Sequence, residues 1–326
     1  MAADSGVQEL PRIAEVPGLP AAGFSPCLPE APPDEVEFRS TLRIGGVSLA
    51  LSGGSREDTR LSPGVEEFRA DRGDSDIEIQ VHWAQGLRAW QGEPAFDSGG
   101  LWKLFRRGQD YAFDFCSPSL GVHPYKRLIT DQAFHSSQLI LSREALGKRA
   151  IFPLEYPIDE LLVTNYLASS LRGVEVHGCG LVDSENGGHL FLGHSGAGKS
   201  TTAALWKSLR RPEILSDDRV ILRLHDGELW MYGTPWHGEA AFASAAKARL
   251  NRILILQHGE RNEMTEISRS QAVGELFARC FPPFHSAAGL ENTVEFLHQV
   301  IDTVPCYEFR FVPNPGAVEA VLGFDG

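Results

Sequence analysis

Between Glu37 and Leu146 apolar and polar residues alternate, as in "TLRIGGVSLAL" and "DIEIQVHW", and clusters of Gly, Asp and Ser interrupt them. A period of two puts successive side chains on opposite faces of an extended chain, so this half is predicted to be β-rich. Within it, "LWKLFRRGQDYAFDF" predicts two short strands around Gly108-Gln109-Asp110. From Pro157 the texture changes. "PIDELLVTNYLASSLR" has an early proline, acids in its first turn and Arg172 at its end, the signature of a helix. "GVEVHGCGLVDSENGGHLFLG" predicts two strands joined by the polar turn Asp183 to Gly188, and "KSTTAALWKSLR" a helix. A short strand over Glu213 to Leu215 follows. Val220 to Leu224 and Glu228 to Gly233 then predict a hairpin around His225-Asp226-Gly227. Helices over Ser268 to Phe281 and Glu291 to Val304, with the strand "CYEFRFV", complete the pattern.

Ahead of the alternating region, residues 1–35 hold Pro11, Pro17, Pro20, Pro26, Pro29, Pro32 and Pro33 among few bulky apolar residues. Such a segment buries too little surface to offset its ordering entropy and is expected to be a disordered tail. The expected organisation is this tail, a β-rich domain over 36–146 and a second domain over 147–326.

Composition narrows the function classes. In 326 residues, 42% are hydrophobic and 22% charged, as in a globular protein with a sizeable core. A formal net charge of −13 argues against nucleic acid as a partner and against docking on an anionic membrane. Cys27, Cys116, Cys179, Cys280 and Cys306 are scattered, with no C-x-x-C pair, which suggests neither a disulfide framework nor a zinc site. No secretion signal or apolar span is evident, so a cytoplasmic location is expected. The β-rich half carries Trp83, Trp90 and Trp102 and the single histidines His82, His123 and His135, but no recognisable chemical constellation.

The chemistry-bearing stretch is Gly193-His194-Ser195-Gly196-Ala197-Gly198-Lys199-Ser200, which fits G-x-x-x-x-G-K-[ST]. Its glycines permit positive φ and bring backbone N–H groups close to phosphate oxygens. Lys199 supplies a cation for the terminal phosphates, and the Ser200 hydroxyl can ligate Mg²⁺. The apolar strand before it and the helix after it, which opens with Lys199, Ser200 and Thr201, are the context a phosphate loop requires. Behind it, Asp217 and Asp218 end a short strand. Adjacent side chains on an extended chain point to different places, so one acid can serve a metal and the other a hydroxyl. The short interval between Ser200 and Asp217 has room for one helix and a return strand, not for the switch region of a GTPase. Glu239, in Thr234-Pro235-Trp236-His237-Gly238-Glu239, is a candidate second metal ligand, and its aromatic and histidine neighbours suggest the wall of a site.

The order "VHG", then "GHSGAGKS", then "SDDRV" resembles the HPr kinase/phosphorylase family, whose nucleotide domain is related to phosphoenolpyruvate carboxykinases. The likeness extends from about Pro157 to Val312, and "GTPWHGE" is similar to a wider branch that includes kinases modifying peptides in bacterial biosynthetic clusters. It implies a mixed-sheet α/β P-loop kinase domain preceded by the β-rich domain, using ATP and Mg²⁺ to phosphorylate a hydroxyl, typically serine of a peptide or protein. In that cast Asp217 accepts the proton of the attacking hydroxyl, and His177 interacts with that carboxylate and with the phosphate. Lys199 stabilises the transferring group. Ser200, Glu239 and Asp218 hold Mg²⁺. Arg249 and Arg252 are candidates for the family's catalytic arginine, and Arg279 and His285 are further basic residues that can approach the site. Hexamers occur among HPr kinases, so oligomerisation is open. Two other readings stay open as well: a kinase of free serine or another metabolite, and a nucleotide-binding regulatory module without turnover.

Overall fold

Period-two alternation over the first half builds an eight-stranded sheet in the computed structural model, which describes residues 37–55, 59–90, 92–147, 151–185 and 187–324. The expected tail over 1–35 lies outside the described residues. Strands β1 (Glu37–Ile44) and β2 (Val47–Ser55) form a hairpin on Gly45-Gly46, whose φ angles of 59° and 73° suit a two-residue turn matched to strand twist. The remaining strands are β3 (Ile77–Ala84), β4 (Phe96–Asp97), β5 (Trp102–Arg107), β6 (Asp110–Phe115), β7 (Lys126–Thr130) and β8 (Ser136–Ser142), in the order β1-β2-β3-β8-β7-β6-β5-β4. Two short helices, α1 (Pro63–Glu66) and α2 (Arg143–Leu146), edge this sheet. The pair predicted around Gly108 is β5 and β6.

A longer helix, α3 (Ile158–Ser169), leads to the second sheet. Its strands are β9 (Val174–Asp183), β10 (Gly187–Leu192), β11 (Glu213–Ser216), β12 (Arg219–His225), β13 (Glu228–Tyr232), β14 (Lys247–His258), β15 (Glu263–Glu266) and β16 (Cys306–Phe311). Helix α4 (Lys199–Leu209) follows β10, α5 (Arg269–Phe277) and α6 (Ala287–Thr303) precede β16, and α7 (Gly316–Leu322) closes the described chain. Ser268 and Ser286 cap α5 and α6 by accepting backbone N–H groups from Gln271 and Gly289.

Two long strands bend and are shared. The first part of β9 pairs with β12, while its second part pairs with β10 and β11. Likewise β14 starts on β13, then runs parallel to β10 and to β16. One face of this bent sheet is covered by α5 and α6 through Leu276, Phe296, Leu297 and Val300. The other face changes cover along its length. At one end α4 and α7 pack on it through Trp206, Val318 and Val321. At the other end Ile221, Tyr232 and Trp236 join the core of the first sheet and of α3.

The two sheets therefore share one core, and the described residues cohere as one unit. The β1–β2 turn meets β12 directly: a Cβ at Gly45 would lie 2.3 Å from Ile221 Cδ1. Polar ties sit inside this junction. The buried Lys126 ammonium donates to Phe152 O, Pro153 O and Glu155 Oε1, fixing the segment that enters α3. On α3, Asp159 Oδ2 accepts from Trp236 Nε1 at 2.9 Å and Oδ1 from the Glu160 N–H. No helix among the described residues is long and apolar enough to cross a membrane.

Gly45→Ala is expected to lower stability by about 1–3 kcal/mol, from overpacking on Ile221 and a left-handed φ. Chemical denaturation measures this, and an unchanged midpoint would contradict the packing. Burial pushes the Asp159 carboxyl up to about 7, so folding favours its protonated form. That contribution is complete below the ordinary carboxylate range and is lost as pH rises through about 7. Asp159→Asn keeps an acceptor for Trp236 and removes the titration. Melting temperatures of wild type and variant should diverge in the variant's favour between about pH 4 and about pH 8; a constant gap would contradict the assignment.

Candidate functional site

Alternation along β9 decides what each of its side chains meets. Glu175, His177, Cys179 and Leu181 share one face, while Val174 and Val176 face α5 and α6. Glu175 is buried near α3, and Cys179 is buried in the core beneath α4. His177 lies between them, at the seam where the cover passes from one to the other, and its side chain remains 31% exposed. Beyond the end of β10, segment 279–281 continues the ladder on β9. The His177 N–H donates to Arg279 O and the Phe281 N–H to Glu175 O. The Phe281 ring then stacks on His177, with centroids 6.3 Å apart and planes at 15°.

The predicted glycine-rich loop leaves the end of β10 beside this seam and feeds α4. Gly196 and Gly198 have φ of 81° and 101°, and a Cβ at Gly198 would lie 2.5 Å from Phe311 Cζ, so glycine is required there on both counts. His194, Ser195, Gly196, Ser200 and Thr201 are exposed, Ala197 is half-buried and Gly193 is buried. The Lys199 side chain bends back over the loop and donates to Gly193 O at 2.9 Å and His194 O at 3.1 Å. Burial lowers the pKa of its ammonium, while the Asp218 carboxylate and the Cys179 thiol oppose the shift. His258, at the end of β14, touches the loop through Nε2, 3.2 Å from Gly196 O.

The aspartate pair diverges, as alternation requires, but with the partners exchanged relative to expectation. His177 was expected beside Asp217; its Nε2 instead lies 3.1 Å from Asp218 Oδ1. Asp217 is buried and turns the other way. Its carboxylate accepts three backbone N–H groups, from Gly238 at 3.1 Å, Ala240 at 3.0 Å and Phe242 at 3.2 Å. With its oxygens accepting from the 238–242 loop, Asp217 anchors that loop. Asp218 is partly exposed, and the His177 imidazole beside it holds its carboxyl below the usual carboxylate range, helped by Arg219 and Lys199. Its backbone carbonyl accepts from the Gly178 N–H, which fixes the acid against β9.

A second layer assembled from distant elements was not anticipated. Arg219 Nε lies 3.1 Å from Glu160 Oε1 on α3, and 3.6 Å from both Glu175 Oε1 and Asp218 Oδ2. Its guanidinium also sits 4.2 Å over the Phe281 ring. Burial raises the pKa of both Glu160 and Glu175; the Glu160 carboxyl pushes Glu175 up further, while Arg219 and a hydrogen bond with Glu175 oppose the rise at Glu160, so the pair retains a proton more readily than free glutamates. Behind Phe281 a cavity of about 200 Å³ opens between Glu160, Phe284, Phe96 and Trp102.

The remaining candidates are dispersed. Glu239 is exposed on the loop that Asp217 anchors. No group of three or more His, Cys, Asp or Glu side chains among the described residues is placed to hold a metal by itself. Arg249 pairs with Glu228 and Arg252 donates to Val321 O, so both are committed elsewhere. Arg279 is buried, with Nη1 on Glu275 and Nε without a partner. His285 packs among Tyr111, Phe113 and Phe96, and burial lowers its pKa to about 4. The single histidines of the first half form no site: His82 is half-buried, His135 meets Asp76 O and His123 is exposed.

No family model matches the chain, and neither does any curated protein. Among solved structures, an HPr(Ser) kinase/phosphatase from Coxiella burnetii is weakly similar, with 13% identity over 46% of this chain and 93% of that chain, at a TM-score of 0.27.

Asp217→Ala should strip three N–H groups of their acceptor and destabilise the fold by about 2–4 kcal/mol. Limited proteolysis checks where: new cleavage is expected within 238–242, and cleavage confined to other loops would contradict the anchoring role.

Proposed function

We propose that this chain is an ATP- and Mg²⁺-dependent kinase that transfers the γ-phosphoryl group to a hydroxyl, serine of a peptide or protein. The observation that carries the reading is the His177–Asp218 pair at the seam, coupled electrostatically to the Lys199 ammonium of the glycine-rich loop. Phosphates would lie on the loop's N–H groups at the positive end of α4, with Lys199 exchanging its carbonyl contacts for phosphate oxygens. Asp218 would take the proton of the attacking hydroxyl. Phosphoryl transfer passes through a loose transition state, so the proton leaves late and a carboxylate of low basicity suffices. His177 would orient that carboxylate. Asp217, in place of the general-base role expected for it, would shape the 238–242 loop beside the acceptor.

The donor set fits Mg²⁺ in the way P-loop proteins use it. Mg²⁺ keeps several waters and needs only one or two protein oxygens besides the phosphates, and the exposed Ser200 hydroxyl and Glu239 carboxylate would supply them, in place of the metal role expected for Asp218. Bound there, the ion would neutralise charge on the phosphoryl oxygens.

Labelled ATP offered with serine-containing peptide pools, and separately with free amino acids, tests acceptor and reaction together. Asp218→Asn is expected to cut transfer by about 10²–10⁴-fold while leaving nucleotide affinity intact. Full activity in that variant would remove the proposed base, and product from free serine alone would shift the acceptor to small molecules.

A further inference from the structure

We propose that the cavity between the β1–β2 hairpin and the β12–β13 hairpin is a binding site for a small polyanion of the phosphate-ester class. This cavity, of about 610 Å³, is lined by Arg43, Arg69, Arg223 and Lys247 against the carboxylates of Glu67 and Asp76. An excess of cations around one half-open space runs opposite to the chain's net charge of −13.

Of the two acids near it, Asp76 is already engaged. Asp76 accepts from the Ser48 N–H and from the Tyr166 hydroxyl, both at 2.9 Å, and has Arg172 at 3.7 Å. Arg69 is spent on Glu66. Arg223 is left without an ion-pair partner: it is 8% exposed, its Nη1 donates to Gly45 O at 3.2 Å, its guanidinium sits 6.0 Å from the Tyr232 ring, its buried Nε has no hydrogen-bond partner, and Asp76 acts on it only at longer range. Among the described residues no carboxylate lies within ion-pair reach of it. A buried cation in that state is costly, and a bound anion would offset the cost. Lys247 has aromatic neighbours instead of an acid, its ammonium lying 4.8 Å over Trp230 and 5.6 Å over Tyr232. Among the described residues the Arg43 side chain hydrogen-bonds only to Ser48 Oγ.

Planar guanidinium forks and a point-charge ammonium converging from several sides match the tetrahedral oxygens of a phosphate group better than a flat carboxylate. A half-open cavity of this volume suits a small ligand rather than an extended chain. The site is separate from the glycine-rich loop. Arg219, at the start of β12, pairs with His177, and Arg223 lies four residues further along the strand, roughly 13 Å away. A ligand there would grip Arg43 of the first sheet and Arg223 and Lys247 of the second, and so would brace the two against each other.

Calorimetric titration of pyrophosphate into a Lys199→Ala chain, which lacks the loop's ammonium, tests this with the glycine-rich loop weakened as a competing site. Adding Arg43→Gln and Lys247→Gln, both exposed positions, is expected to weaken binding about tenfold or more. As an independent measurement on the wild-type chain, crystals soaked in tungstate should show anomalous density bridging Arg43 and Arg223. Pyrophosphate affinity unchanged by the double substitution, or tungstate confined to the glycine-rich loop, would overturn the proposal. Neither readout involves phosphoryl transfer, so failure here is distinguishable from failure of the kinase assignment.

Discussion

Three backbone N–H groups converging on the Asp217 carboxylate are the constraint on which the site's geometry rests. A buried carboxylate is tolerated only when its oxygens are satisfied, and here a single loop satisfies them. That loop is pinned again by Trp236 on Asp159 and by the Thr234 hydroxyl on Arg219 O, so it is fixed from three elements at once. Because Asp217 points inward to do this, the extended chain turns Asp218 outward, toward His177. The exposed pair is thus a by-product of the buried one.

The site's location follows from cover. On one face of the bent sheet, a helix layer and a second sheet divide the cover between them. Glu175, His177 and Cys179, successive on that face of β9, pass from buried acid to accessible imidazole to buried thiol within five residues of strand. Burial raises the Cys179 thiol to about 12, leaving it a protonated packing residue. Only the middle position meets solvent, and the glycine-rich loop, Asp218 and Phe281 gather around it.

Much of this was legible in local patterns. The turn at Asp183 to Gly188, the glycine-rich loop with its flanking strand and helix, and the β12–β13 hairpin all follow from periodicity and turn residues that act within a few positions. Alternation also showed that the two aspartates must part. It could not show which one turns inward, because that depends on N–H groups more than twenty residues later in the chain. The cluster of Glu160, Glu175 and Arg219 was invisible for the same reason: a helix, a strand and a second strand contribute one residue each. β14 carried no sequence expectation. Its run "KARLNRILILQH" begins with alternating polar residues and ends as a buried core strand, because it passes from an edge pairing to the middle of the sheet.

β12 couples all of these features through parity. Arg219, Ile221 and Arg223 share the face that meets α3, the β1–β2 turn and the cationic cavity, while Val220 and Leu222 lie on the opposite face. A slip of one residue would invert every side chain of the strand together. An insertion or deletion at the junction of Asp218 and Arg219, where β12 begins, would therefore remove the Arg219 ion pairs, the contact at Gly45 and the Arg223 cation in one event. Drift in this segment can proceed by substitution, but length changes are closed to it.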